Sequence, residues 1–245
     1  MPPARTRLSP ALAEALTLLV DEALDLLARD EVERARSSIA EAVALAPDSA
    51  EARHLQAELA LAEDRPDAAR DHLQAAVEDD PDHADAHHLL ARVLEDLGDR
   101  AGMIEHDLRV LSLDARTDRR HAIGTPEDLA FIEEHARAAL AGLPPHLAER
   151  VEHVPVVLEA RPHPALVREG FDSRALGLFE GPTDVMHQLG HGDLLPARIV
   201  LFYANLLAMT RDDDELAEQV EITVLHELGH FFGLDEDEVA DLGLE

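Results

Sequence analysis

Residues 226–230 read His-Glu-Leu-Gly-His. On a helix, side chains four positions apart lie one turn apart on one face, so the imidazoles of His226 and His230 can reach a single metal ion. Glu227 is rotated about 100° from His226 and can approach a water on that ion without taking a coordination position. A divalent metal lowers the pKa of such a water from about 15.7 to about 7, and a neighbouring carboxylate takes its proton. The spacing therefore points to metal-assisted hydrolysis, with His226 and His230 as ligands and Glu227 as general base. An open catalytic site needs a third protein ligand. Gly233 can break the helix just after the second His, and Asp235, Glu236, Asp237 and Glu238 follow at once, so the chain can turn back and offer an acid.

Other histidine pairs carry the same spacing with less support. His187 and His191 sit in MHQLGHGD, where no Glu follows the first His and Gly190 and Gly192 favour a loop. His83 and His87 also lie four apart, without a Glu at position 84. With His54, His72, His88 and His106 they read as solvated surface histidines. Tyr203, the one tyrosine, could stabilise an oxyanion, although a strand aromatic more often belongs to a core. Glu180 has no role that spacing assigns.

Composition narrows the chemistry. The 245 residues contain no cysteine, which excludes disulfides, thiolate catalysis and Cys-ligated metals, so any metal is held by His, Asp or Glu. All 21 basic residues are Arg, and lysine chemistry is absent. The formal net charge of −31 repels phosphate backbones and anionic lipid, so the sequence predicts neither nucleic-acid nor membrane binding. Glu14, Asp21 and Glu22 interrupt the apolar start, and no apolar run approaches the ~18 residues of a membrane span. The expected location is the cytoplasm.

The motif needs a helix, and the residues around it supply one. Asp212, Asp213 and Asp214 cap its start and complement the helix dipole. Leu216, Val220, Val224 and Leu228 recur every four residues and predict one buried face. Short β-branched or apolar runs at Val154–Leu158, Ala175–Phe179 and Arg198–Tyr203 predict strands. Thr125-Pro126-Glu127-Asp128 opens a helix that should end near Gly142, before Pro144-Pro145, with a short helix at about 146–151. Residues 114–125 concentrate charge without an apolar period and read as a linker.

The N-terminal half repeats instead. Pro47 and Pro81 lie 34 residues apart, each followed by Asp. In that frame Ala23, Leu26, Ala35, Ile39 and Ala42 recur as Ala57, Ala60, Ala69, Leu73 and Ala76. A third unit keeps Ala91, Leu94, Met103 and Val110, with Leu108 displaced by one place and no closing Pro. Small residues at these offsets let paired helices approach closely, and the Pro ends the second helix of a hairpin. Residues 10–116 resemble the tetratricopeptide repeat family, although the early large aromatic and Gly of that family are missing. An ordinary antiparallel bundle would also give an all-α layer with a groove.

Residues 126–245 resemble the minimal zincin-like family of small bacterial metallopeptidases. The matching segments are Gly142-Leu143-Pro144-Pro145, Val154–Leu158, Gly177-Leu178-Phe179-Glu180-Gly181, Leu195-Pro196-Ala197-Arg198-Ile199, and Thr223 through Gly233. The resemblance implies zinc, His226 and His230 as ligands, Glu227 as general base, and a third ligand ten residues after the first His. That position is Glu236, where the family usually has Asp; Asp235 stands one place earlier.

The expected architecture is α+β overall: a tetratricopeptide-like all-α domain over 1–118, then a small zincin-like domain over 119–245. The expected function is zinc-dependent peptide hydrolysis, with the strand at 198–203 pairing with an extended substrate and the repeats binding a protein partner or the substrate. The competing reading is a repeat adaptor whose zincin-like domain is inactive or metallated only structurally.

Overall fold

The computed structural model describes residues 9–182 and 197–240, the side chains of Glu236 and Ala240 excepted. The chain divides into two units, one reaching to Leu113 and the other beginning at Asp114, with the short stretch Arg168–Gly170 grouping with the first.

The first unit is three helical hairpins: α1 (Pro10–Ala28) with α2 (Val32–Leu45), α3 (Ala50–Ala62) with α4 (Pro66–Asp79), and α5 (Ala84–Asp96) with α6, whose range is Arg100–His121. The 34-residue spacing governs what is buried. Ala23, Ala35, Ala42, Ala57, Ala60, Ala69 and Ala76 are fully buried, since only a methyl group fits where two helices cross. Ile39 and Leu73 fill matching core positions; in the third hairpin that position holds Asp107, 4% exposed. The hairpin turns share another period. Asp30, Asp64 and Gly98 each take the left-handed conformation, with φ of 59°, 55° and 79°. Each lets the next amide bond back into the helix just ended: Glu31 to Leu26, Arg65 to Ala60, and Asp99 to Leu94, at 2.8–2.9 Å. Asp tolerates this conformation better than most side chains, which hides the turn from a search for glycine.

Two histidines depart from the solvated reading. His54 and His87 are buried, at 8% and 7% exposure. His54 lies against Glu58 and the ring of His83, and His87 against His106 and the Pro81 carbonyl. His83 caps α5, its Nδ1 accepting from the Ala86 amide at 3.1 Å.

The linker expected over 114–125 is helical as far as His121, as the last turns of α6. Charge pairing is the physical reason. Asp118 takes both oxygens to the half-buried Arg161, at 2.5 and 2.8 Å, and Asp114 pairs with Arg174 at 2.9 Å. The clustered charges are partnered side chains of a helix.

The second unit continues with α7 (Pro126–Ala141), α8 (Pro145–Val151), β1 (Val156–Glu159), α9 (Pro164–Arg168), β2 (Gly177–Glu180), β3 (Arg198–Phe202), α10 (Tyr203–Met209), α11 (Asp213–Phe232) and α12 (Glu236–Ala240). Thr125 and Asp128 form a reciprocal capping box at the start of α7. The strands form one sheet in the order β1-β3-β2, with β1 parallel and β2 antiparallel to β3. β3 is central, and Ile199, Val200, Leu201 and Phe202 are all buried. Its two sides are bonded to β1 and β2, so it cannot pair with a substrate. That expectation is corrected: β1 and β2 are the edge strands among the described residues, and β2 is the one that shares a cavity with α11. Val220, Val224, Leu228 and Phe231 of α11 join Ile132 of α7 and Ile199 and Leu201 of β3 in one core. The architecture is α+β, helical repeats followed by a small three-stranded domain. No described helix is long and apolar enough to cross a membrane.

Candidate active site

Both ends of α11 are fixed by local chemistry. The Asp212 carboxylate caps its start, accepting from the Glu215 amide at 2.9 Å. At its end Gly233 turns left-handed, φ 89°. The Leu234 amide returns to the Gly229 carbonyl and the Gly233 amide to His230, both at 3.0 Å, which satisfies the last carbonyls of the helix. The reversal carries a second consequence. His230 Nδ1 lies 3.2 Å from the Leu234 carbonyl. A carbonyl only accepts, so Nδ1 carries the proton and Nε2 presents a lone pair outward.

That lone pair faces His226. The two Nε2 atoms are 3.1 Å apart, the rings edge to face with centroids 4.8 Å apart. A tetrahedral ion at about 2.0–2.1 Å from each nitrogen would set them about 3.3 Å apart. The pair therefore fits a metal ion with little movement. Both imidazoles are half-buried, and Glu227 between them in sequence is buried at 6% exposure.

A cavity of about 480 Å³ opens on these three side chains. Thr223, Ile222 and Gln219 of α11 form one wall; Ala175, Leu176, Gly177, Leu178 and Phe179 form the other, with Phe171. Gly177 stands where β2 meets α11. A methyl group there would lie 2.8 Å from Glu227 Oε1 and 2.7 Å from Thr223 Cγ2. The absence of a side chain at 177 is what lets β2 run past the carboxylate. Asn205, 3% exposed, holds the approach to this wall by donating to the carbonyls of Ser173 at 3.2 Å and Ala175 at 2.6 Å. Its own oxygen accepts from Arg161.

Behind Gly233 the tail folds back as α12. Asp235 and Glu238 form a reciprocal capping box, Glu238 amide to Asp235 at 2.9 Å and Asp235 amide to Glu238 at 3.1 Å. Val239 is fully buried and docks on Gly229, where any Cβ would meet its methyl at 2.7 Å. This explains the glycine inside the motif. Asp235, the reserve ligand, uses a carboxylate oxygen as a cap. Glu236 occupies the first turn of α12, and its side chain lies outside the described residues. His187 and His191 also lie outside them.

Two residues singled out by type have other work. Tyr203 opens α10 and packs against Gly124, whose missing Cβ would meet Tyr203 Cε2 at 2.4 Å; it does not line the cavity. Glu180 pairs with Arg198 at 2.5 Å, and Arg198 also reaches Glu159 at 3.5 Å, so one guanidinium ties β2, β3 and β1 together. Gly177, Gly229 and Asn205 escaped a search by chemistry because they act by what they leave room for or hold in place.

Residues 151–244 match the family model of zincin-like metallopeptidases. The C-terminal domain is zincin-like. Residues 26–93 and 60–102 match the tetratricopeptide repeat, so helical repeats precede the zincin-like domain. No curated protein matches the chain. The zincin-like family implies a metal and a hydrolase of the general metallopeptidase kind, and the two facing nitrogens of His226 and His230 fit that implication.

Proposed function

We propose that the protein is a zinc-dependent metallopeptidase in which His226, His230 and Glu236 hold the ion and Glu227 is the general base. The observation that carries this reading is the convergence of two Nε2 atoms, 3.1 Å apart, with the buried Glu227 on the wall of one cavity. When bound, zinc would acidify a water and polarise the scissile carbonyl. Glu227 takes the proton of the attacking water and returns it to the leaving amine, two tasks for one carboxylate at a fixed place. Burial and the close approach of Gly177 limit the positions its oxygens can take. An extended peptide lies along the open edge of β2, where main-chain bonds give affinity and the apolar wall of Leu176, Leu178 and Phe179 receives side chains. The repeats, over 1–118, hold a protein partner or the substrate for the hydrolytic part, 119–245.

Zinc analysis with a peptide-library digest, wild type against Glu227→Gln, tests the proposal. Zinc in both proteins with cleavage by wild type alone supports it. Zinc without cleavage by either favours the adaptor reading, in which the repeats do the work.

A further inference from the structure

The repeat unit holds a second pair of facing imidazoles. His87 on α5 is buried, and His106 on α6 is half-buried. Their Nδ1 atoms are 2.8 Å apart and their ring centroids 5.0 Å apart. His87 Nε2 lies 3.2 Å from the Pro81 carbonyl, which can only accept. Nε2 therefore carries the proton, and His87 Nδ1 aims a lone pair at His106. This is the arrangement by which metal-binding histidines are oriented, with one nitrogen tethered to a carbonyl and the other left for the ion.

The internal repeat supplies a control. One period upstream, the positions of His87 and His106 hold Arg53 and His72, and one period further Leu19 and Ser38. Arg53 beside His72 disfavours added positive charge. Two imidazoles occupy these positions only in the third hairpin, the one that carries Asp107 where the others have Ile39 and Leu73.

Burial acts first against positive charge at both imidazoles, and nearby charges act on either side. Arg109 and His83 act against it at His87, but Arg109 is paired with Asp82 at 2.7 Å and donates to the Pro81 carbonyl at 3.1 and 2.9 Å. Glu105, Asp107 and Asp99 favour positive charge at His106.

We propose that His87 and His106 form a binding site for a divalent d-block cation that prefers imidazole nitrogen, with Zn2+ as the probe. Water completes the coordination. The nitrogens part by about 0.5 Å to reach tetrahedral spacing. The ion staples α5 to α6 in the hairpin whose core is interrupted by a buried acid.

The test is the zinc bound by the full chain at pH 7, counted by elemental analysis. His87→Gln and His106→Gln should each bind one equivalent less than wild type. The same difference should persist in a His226→Gln, His230→Gln background, which makes the result independent of the proposed hydrolytic site. Equal zinc in wild type and both variants overturns the proposal. Should a variant lose its helical circular dichroism, the wild-type imidazole nitrogen resonances decide. Zinc should shift Nδ1 of both His87 and His106, and unchanged resonances at saturating zinc overturn the site.

Discussion

Each unit faces two imidazoles across about 3 Å, but the two pairs are made differently. In the zincin-like unit His226 and His230 lie on one helix, and a single sequence spacing sets their distance. In the repeat unit His87 and His106 lie on different helices, 19 residues apart, and hairpin packing sets theirs. Each pair has one imidazole tethered to a carbonyl, His230 to Leu234 and His87 to Pro81, and the first pair also opens on a cavity that Glu227 lines. A local spacing makes a site that a reader of sequence can find. A packing-dependent pair appears only when the helices are docked.

The largest expected effect that separates the two units is on zinc affinity. Glu236→Ala should weaken zinc at the His226–His230 pair by more than the about 10–100-fold that follows loss of a residue that merely orients a ligand. It should leave the melting of the repeats unchanged, and competition titration reads it. Asp235→Ala should act through the helix cap, costing about 1 kcal/mol, with a smaller change in affinity. If Asp235→Ala removed zinc and Glu236→Ala did not, the ligand would be one place earlier.

Packing should come next in both units, for opposite reasons. Gly177→Ala forces a methyl group against Glu227 and Thr223, and overpacking of this kind costs about 1–3 kcal/mol. Hydrolysis should fall more than stability, because the displaced group is the proposed base. Ala57→Leu fills a fully buried helix crossing at a similar cost of about 1–3 kcal/mol. It should lower thermal stability without touching zinc. An Ala57→Leu protein as stable as wild type would mean that the small-residue period does not set helix approach.

The smallest effect is on pH dependence and belongs to the repeats. Burial lowers the pKa of His87 and His106 below the ordinary value of 6.5. Groups with a depressed folded-state pKa bind protons more readily when unfolded. Stability should therefore fall as the pH drops below about 6.5, until the folded-state values are passed. Glu58 works the other way: burial first, then Asp85, raises its carboxyl above 4.5, so its contribution to stability recovers as the pH falls toward that value. Thermal melts between pH 7 and 5 should show the loss in wild type and less of it in His87→Gln.

Much of this was legible because it is periodic or local. The 34-residue offsets name the buried alanines, and the apolar face of α11 follows from Leu216, Val220, Val224 and Leu228. Caps at Thr125 and Asp212 and the break at Gly233 act within one helical turn of their cause. What escaped depends on partners distant in sequence. The helix over 114–121 needs Arg161 and Arg174 to neutralise its acids, and the central place of β3 needs both neighbouring strands. Gly177 and Gly229 are glycines because Glu227 and Val239 approach them from other elements.

The most direct measurement is hydrolysis of a peptide library by zinc-loaded wild type and zinc-loaded Glu227→Gln, with zinc counted in the same samples. Our account predicts equal zinc in the two proteins and a loss of cleavage on the order of 10²–10⁴-fold in the variant, the scale of a lost general base. Cleavage by Glu227→Gln at the wild-type rate, with zinc intact, would contradict it.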